Sequence, residues 1–178
     1  DQLNQEFDII ESSGVLHHMD EPLIGWKALT NILKPGGLMN IGLYSQLARQ
    51  DIVKVREEIC KLNTGLNLKE MKKFRRTLIE SDKCHHKSIK NITDFYNLST
   101  LRDLLFHVQE HRFTVSEIKN CLQNLGLKFC GFEGADIISK FKQFNGNEAN
   151  IYDLDNWQAY EQANPYAFIG MYRFWCQK

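Results

Sequence analysis

Apolar and polar positions follow two rhythms along this chain, one short and strand-like, the other helical. Phe7 to Ile10 is a brief apolar run interrupted only by Asp8 and closed by Ser12-Ser13-Gly14, which predicts a buried strand running into a loop. Pro22 suits the first turn of a helix that Asp20 is placed to cap. Leu23, Trp26, Leu29, Ile32 and Leu33 then recur near the helical period until Lys34-Pro35-Gly36-Gly37 ends it. Leu38 to Tyr44 is compact and apolar and predicts a second buried strand. Strand, helix and strand with short connections imply a right-handed crossover and a parallel pair, the repeating unit of an open α/β sheet.

Beyond Tyr44 the rhythm changes. Ile52, Val55, Ile59 and Leu62, then Leu68, Met71, Phe74 and Leu78, then Leu101, Leu104, Leu105 and Val108 mark the apolar faces of amphipathic helices. The charge run Lys69 to Arg76 reads as the solvated face of one of them. Residues 45–113 are thus expected to form a helical cap inserted into an α/β domain made of residues 1–44 and 114–178. After the cap, Thr114 and Glu117 form a capping box, Ile118, Cys121, Leu122 and Leu125 supply an apolar helix face, and Gly126 can stop that helix. Leu127 to Phe132 predicts a strand. A polar stretch through Asn145-Gly146-Asn147 leads to a helix around Leu154 to Gln162, and past Pro165 comes a closing strand, Ala167 to Trp175, antiparallel to the one before.

Lysine plus arginine balance aspartate plus glutamate at 22 each, so no electrostatic argument favours a nucleic acid or an anionic membrane as partner. No apolar run approaches a bilayer-spanning length, and the expected location is cytoplasmic. The five cysteines are scattered and odd in number, a poor disulfide framework that fits free thiols in a reducing compartment. Cys84-His85-His86 is the densest group of metal-capable side chains. Neighbours in sequence rarely converge on one ion and no second Cys/His pair stands at zinc spacing, so the stretch reads as a polar loop and no metal is expected.

The ordered set Phe7-Asp8-Ile9-Ile10, Val15-Leu16-His17-His18 and Leu33-Lys34-Pro35-Gly36-Gly37-Leu38 resembles the middle of a class I S-adenosylmethionine-dependent methyltransferase. The stretch Asp94 to Thr114 and the ending Phe168 to Trp175 look like those of bacterial methyltransferases often attached to tetratricopeptide repeats. The resemblance implies a partial Rossmann-like sheet, parallel strands plus an antiparallel C-terminal strand, with the helical cap inserted. It covers the second half of such a domain. In that family the Gly-rich turn and the acidic residue that hold the cofactor lie upstream of the motif matched at Phe7, so these residues are expected to be inactive without the missing half. The first strand, Phe7 to Ile10, then becomes an edge that invites pairing, with a homo-oligomer as one outcome. A non-catalytic binding or assembly module derived from a methyltransferase is the alternative reading.

In open α/β sheets ligands sit beyond the carboxyl ends of the parallel strands, here Glu11 to Val15 and Tyr44 to Arg49. By the resemblance, Ser12, Ser13, Gly14 and Val15 map onto the segment that touches the methionine part of S-adenosylmethionine. Gly14 would admit a ligand close to the backbone or serve only as a turn residue. His17 and His18 are the candidates for a general base, because imidazole titrates near neutral pH, with helix capping or loop packing as the bland alternative. Tyr44, Arg49, His107, Glu110 and His111 are candidates for holding a small-molecule or peptide-like methyl acceptor. His107 and His111 are expected one helical turn apart on one face.

Overall fold

A computed structural model describes residues 5–62, 67–106 and 110–178. The chain divides into two compact units, one made of Asp1–Ala48 with Gln109–Lys178, the other of Arg49–Val108.

The first unit is built on a four-stranded sheet: β1 (Phe7–Ser13), β2 (Leu33–Leu43), β3 (Lys128–Phe132) and β4 (Tyr172–Gln177), in the order β1-β2-β4-β3. β1 and β2 run parallel and the other pairings are antiparallel, so the unit is α/β with a mixed sheet. The parallel pair is joined through α1 (Pro22–Asn31), which buries Thr30 and packs Trp26 into the core. Its start differs from expectation: the N-cap position is Glu21 rather than Asp20, and no side chain caps it. Its end is closed from afar, where the Lys178 ammonium donates to the carbonyls of Thr30 and Leu33, both at 2.7 Å. A cation on the orphan carbonyls of a helix end is favourable.

Lys34-Pro35-Gly36-Gly37 does not simply precede the second strand. Pairing runs from Phe7 opposite Leu33 to Ile9 opposite Leu38, so this Pro-Gly segment bulges out of β2 and its far edge is tied down by Gly36 N–H donating to the Lys178 carbonyl. Among the described residues β1 pairs with β2 alone and lies at the edge of the sheet, where Ile9 is 62% exposed.

The helix α6 (Val115–Leu125) follows its sequence signals. Thr114 Oγ1 accepts from Glu117 N–H, the Glu117 carboxylate accepts from Thr114 N–H, and Gly126 ends the helix at φ +66° with Leu127 N–H donating to the Leu122 carbonyl. Only glycine adopts that left-handed conformation without cost. Two helices come between β3 and β4: α7 (Ala135–Asn145), which the polar composition did not announce, and α8 (Leu154–Ala163). Trp157 of α8 stacks on Phe141 of α7 with ring centres 3.9 Å apart and donates its indole N–H to the Ile151 carbonyl. The closing strand begins later than expected, at Tyr172, because residues 165–168 form a turn and 169–170 a bend.

The second unit is helical: α2 (Gln50–Lys61), α3 (Leu68–Glu80), α4 (Cys84–Lys90), a 3-10 turn at Thr93–Phe95, and α5 (Leu98–Phe106). Its own core gathers Ile52, Val55, Phe74, Leu78, Ile89 and Leu101. Met71, Phe74 and Leu78 are the buried positions of α3, so Lys69 to Arg76 does place its charges around a single apolar stripe. His85 and His86 lie on a helix and not in a polar loop. Arg56 joins α2 to α5 by donating to the Leu104 carbonyl at 2.8 Å. No helix among the described residues is long and apolar enough to cross a membrane. All five cysteines are free.

Candidate functional site

The carboxyl ends of β1 and β2 lie side by side, with Ser13 opposite Gly42. Gly42 is required there: a Cβ on it would come within 2.5 Å of both Ser13 Oγ and Met171 Sδ. Past Ser13 the chain turns at Gly14, φ +76°, where an added Cβ would meet nothing within 4 Å. The backbone at this turn therefore faces open space, which is the kind of approach a ligand needs. Ser12 is buried, while Ser13 and Val15 are exposed. Ser13 donates its hydroxyl to Met171 Sδ at 3.5 Å.

A 3-10 turn, Leu16–His18, follows and brings the two histidines to the end of β2. The His17 ring lies 4.0 Å from that of Tyr44 and 4.4 Å from that of His18, centre to centre. His17 is fully buried and His18 only partly, so His18 is the imidazole of the pair with a face open to solvent. The segment after the helical unit returns here. His111 N–H donates to the His17 carbonyl and Phe113 N–H to the Tyr44 carbonyl, both at 2.8 Å. Ser45 and Phe113 form a parallel bridge.

These bonds explain a departure from expectation. Glu110 and His111 belong to no helix; the amides of His111 and Phe113 are engaged by the carbonyls of His17, in the 3-10 turn, and Tyr44, just past β2, and not by carbonyls one turn back. The anticipated helical face shared by His107 and His111 is therefore not formed at His111, and His107 lies outside the described residues. His111 is half-buried and its Nε2 has no hydrogen-bond partner among the described residues. Glu110 is half-buried beside it in sequence. Arg49 is buried at the start of α2 and falls in the second unit. The structure thus gathers Ser12, Ser13, Gly14, His17, His18, Tyr44 and the His111 backbone at one end of the sheet.

One buried constellation here escaped the sequence reading. Glu161, on α8, accepts the Ser45 hydroxyl at 2.6 Å and the Tyr172 hydroxyl at 2.6 Å, and Ser45 Oγ accepts from Ala48 N–H at 3.0 Å. Burial pushes the Glu161 carboxyl above its ordinary range, and the two hydroxyls only partly offset this. Burial, together with the adjacent carboxylate, likewise pushes the Tyr172 phenol upward. Leu43 pairs with Tyr172, so this network underlies the strand end that carries Tyr44. A signal was available, since Glu161 shares the helical stripe of Leu154 and Trp157.

In the second unit, Glu58 of α2 meets His85 and His86 of α4. Their Nε2 atoms lie 2.9 and 2.7 Å from its two oxygens, and the Lys83 ammonium is 2.8 Å from Oε1. Burial raises the Glu58 carboxyl, but the hydrogen bonds from Lys83, His85 and His86 outweigh it and hold the pKa at about 2.

No family model matches the chain. An uncharacterized protein of a Synechococcus species is 27% identical over 169 residues, covering 89% of this chain and 40% of that protein. The structure of PKMT2 from Rickettsia typhi in complex with AdoHcy matches with a TM-score of 0.63 at 14% identity, over 99% of this chain and 36% of that one. A second structure of PKMT2 matches at TM-score 0.61, 15% identity and the same coverage. The chain has part of an S-adenosylmethionine-dependent methyltransferase fold. It spans well under half the length of these relatives.

Proposed function

We propose that the chain forms the downstream, acceptor-facing portion of an S-adenosylmethionine-dependent methyltransferase domain and takes part in passing a methyl group to a small-molecule or peptide-like acceptor by in-line displacement. One observation carries this reading. The open backbone turn at Gly14 stands beside the strand end bearing Tyr44 and the paired histidines, in a fold shared with PKMT2, which was solved with AdoHcy.

The donor's sulfonium supplies an already activated methyl group. The protein's task is then alignment of acceptor, carbon and sulfur, an effect worth several kcal/mol when geometry is held closely. Ser12, Ser13, Gly14 and Val15 would hold the methionine part through the turn that leaves β1. His18 takes the proton of an acceptor that arrives protonated, because it is the partly exposed imidazole of the pair. His17, buried against the Tyr44 ring, fixes where that aromatic stands. Tyr44 and His111 line the acceptor side.

The grip on adenosine is assigned to segments beyond these residues, in keeping with a chain that spans 36% of the matched PKMT2 structures. Titration with AdoHcy followed by backbone amide NMR tests both parts. Weak, millimolar binding that shifts the amides of Ser12 to Val15 and of Tyr44 is expected. Shifts confined to other residues would refute the site. Micromolar affinity would refute the divided grip.

A further inference from the structure

Two histidines adjacent in sequence and a glutamate from another helix converge at one point in the second unit. One carboxylate oxygen of Glu58, a ring nitrogen of His85 and a ring nitrogen of His86 lie within 4.8 Å of one another. Successive side chains on a helix point about 100° apart, so neighbours do not ordinarily share a target. Here the first turn of α4 sets both imidazoles, with ring centres 4.4 Å apart, against the two oxygens of one carboxylate.

Three features set the cluster apart from a surface ion pair. The His86 side chain is 3% exposed, so the site has a rigid, desolvated wall. Among the described residues Glu58 is the hydrogen-bond partner of the His86 ring, whose Nδ1 is buried without one. The cation beside Glu58 is replaceable: the Lys83 side chain is 58% exposed and can swing its ammonium into water.

We propose that Glu58, His85 and His86 form a three-ligand site for a zinc-class divalent cation that clips α4 to α2. Two imidazoles and a carboxylate with one position left to water are a donor set that zinc accepts. The hydrogen-bonded separations of 2.7 and 2.9 Å suit N–H···O contacts. Tetrahedral zinc, at roughly 2.0–2.2 Å from each ligand, needs ligand atoms about 3.3–3.5 Å apart. The Glu58–imidazole separations have to open by about 0.4–0.8 Å and the two imidazole nitrogens, within 4.8 Å of each other, to settle at the same spacing, which small rotations of the Glu58 and His85 side chains supply. Cys84 begins the same helix but is exposed and stands outside the converging set.

Zinc uptake by the chelator-treated chain, measured by competition with a chromophoric chelator, is the test. One zinc per chain is expected, with a melting temperature that rises with zinc concentration, as binding to the folded state alone requires. Glu58→Gln and His86→Asn should each weaken binding at least about 100-fold and abolish the thermal shift, while Cys84→Ala leaves both unchanged. If Glu58→Gln or His86→Asn loses its helical circular dichroism, His85→Asn, at the rim of the cluster, is read in its place. The proposal is overturned if the wild-type chain takes up no zinc, if the folded ligand variants retain wild-type affinity, or if Cys84→Ala removes binding.

Discussion

Each unit of the molecule holds a glutamate whose ionisation is shifted by its surroundings, and the two webs of hydrogen bonds around Glu161 and Glu58 treat the carboxylate in opposite ways. Glu161 in the first unit is fully buried and receives two neutral hydroxyls, and burial wins, raising its pKa. Glu58 in the second unit keeps part of its side chain in water and receives an ammonium and two imidazoles, and the donors win, lowering its pKa to about 2. The two carboxylates have similar numbers of partners. Depth and the charge carried by the donors therefore decide the protonation state, while a count of hydrogen bonds does not.

The largest effect expected from this contrast is at Glu161. Glu161→Ala leaves the Ser45 and Tyr172 hydroxyls buried without their acceptor and opens a cavity between α8 and the strand ends. A loss of about 2–4 kcal/mol follows from the cost of unsatisfied buried groups and lost packing. Urea unfolding followed by tryptophan fluorescence isolates this loss, because Trp26, Trp157 and Trp175 all belong to the first unit. Glu161→Gln retains an acceptor oxygen and should lose less. A cost below about 1 kcal/mol for the alanine variant would show that the web carries little of the unit's stability.

The second effect is the pH dependence, and its sign differs between the units. A carboxyl whose pKa is raised on folding contributes stability that is complete below the ordinary value of 4.5 and is lost as pH rises through the folded value, so Glu161 should weaken the first unit on ionising. Glu161→Gln should remove that decline. A carboxyl whose pKa is lowered contributes stability above 4.5 that is lost as pH falls through the folded value, so the metal-free second unit should lose about 1–2 kcal/mol of support from Glu58 between pH 4.5 and about 2, the full shift being discounted for solvent screening. Helical circular dichroism at graded urea and pH, wild type against Glu58→Gln, reads this. Parallel pH profiles in the two units would break the comparison.

The two webs also mark how far the sequence could be read. Local signals were sufficient where the chain uses its own neighbours. The capping box at Thr114 and Glu117, the stop at Gly126, the parallel pair and the apolar faces of α2 and α3 all follow from short-range pattern. The turn at Gly14 and the position of His17-His18 just past the first strand follow from the same short-range pattern. α7 was missed because Phe141 is its buried residue and Gly134, not a capping side chain, precedes it. The closing strand was placed early because apolar composition at Ala167 to Met171 does not distinguish a packed turn from a strand. Glu161 meets Ser45 across 116 positions and Glu58 meets His86 across 28, and no local rhythm encodes such pairings.

The smallest effect is expected at Lys83, and it divides the causes that act on Glu58. An exposed ion pair contributes about 0–1 kcal/mol, so Lys83→Met should scarcely change the stability of the second unit at neutral pH. Its hydrogen bond is nonetheless the largest of those that lower the Glu58 carboxyl, ahead of His85 and His86. Carbon-detected NMR titration of the Glu58 carboxyl in metal-free protein should therefore find its midpoint moved from about 2 toward the ordinary 4.5 in Lys83→Met. An unmoved midpoint would assign the lowering to the two imidazoles. The contrast with Glu161 would then rest on the hydrogen bonds that His85 and His86 make to Glu58.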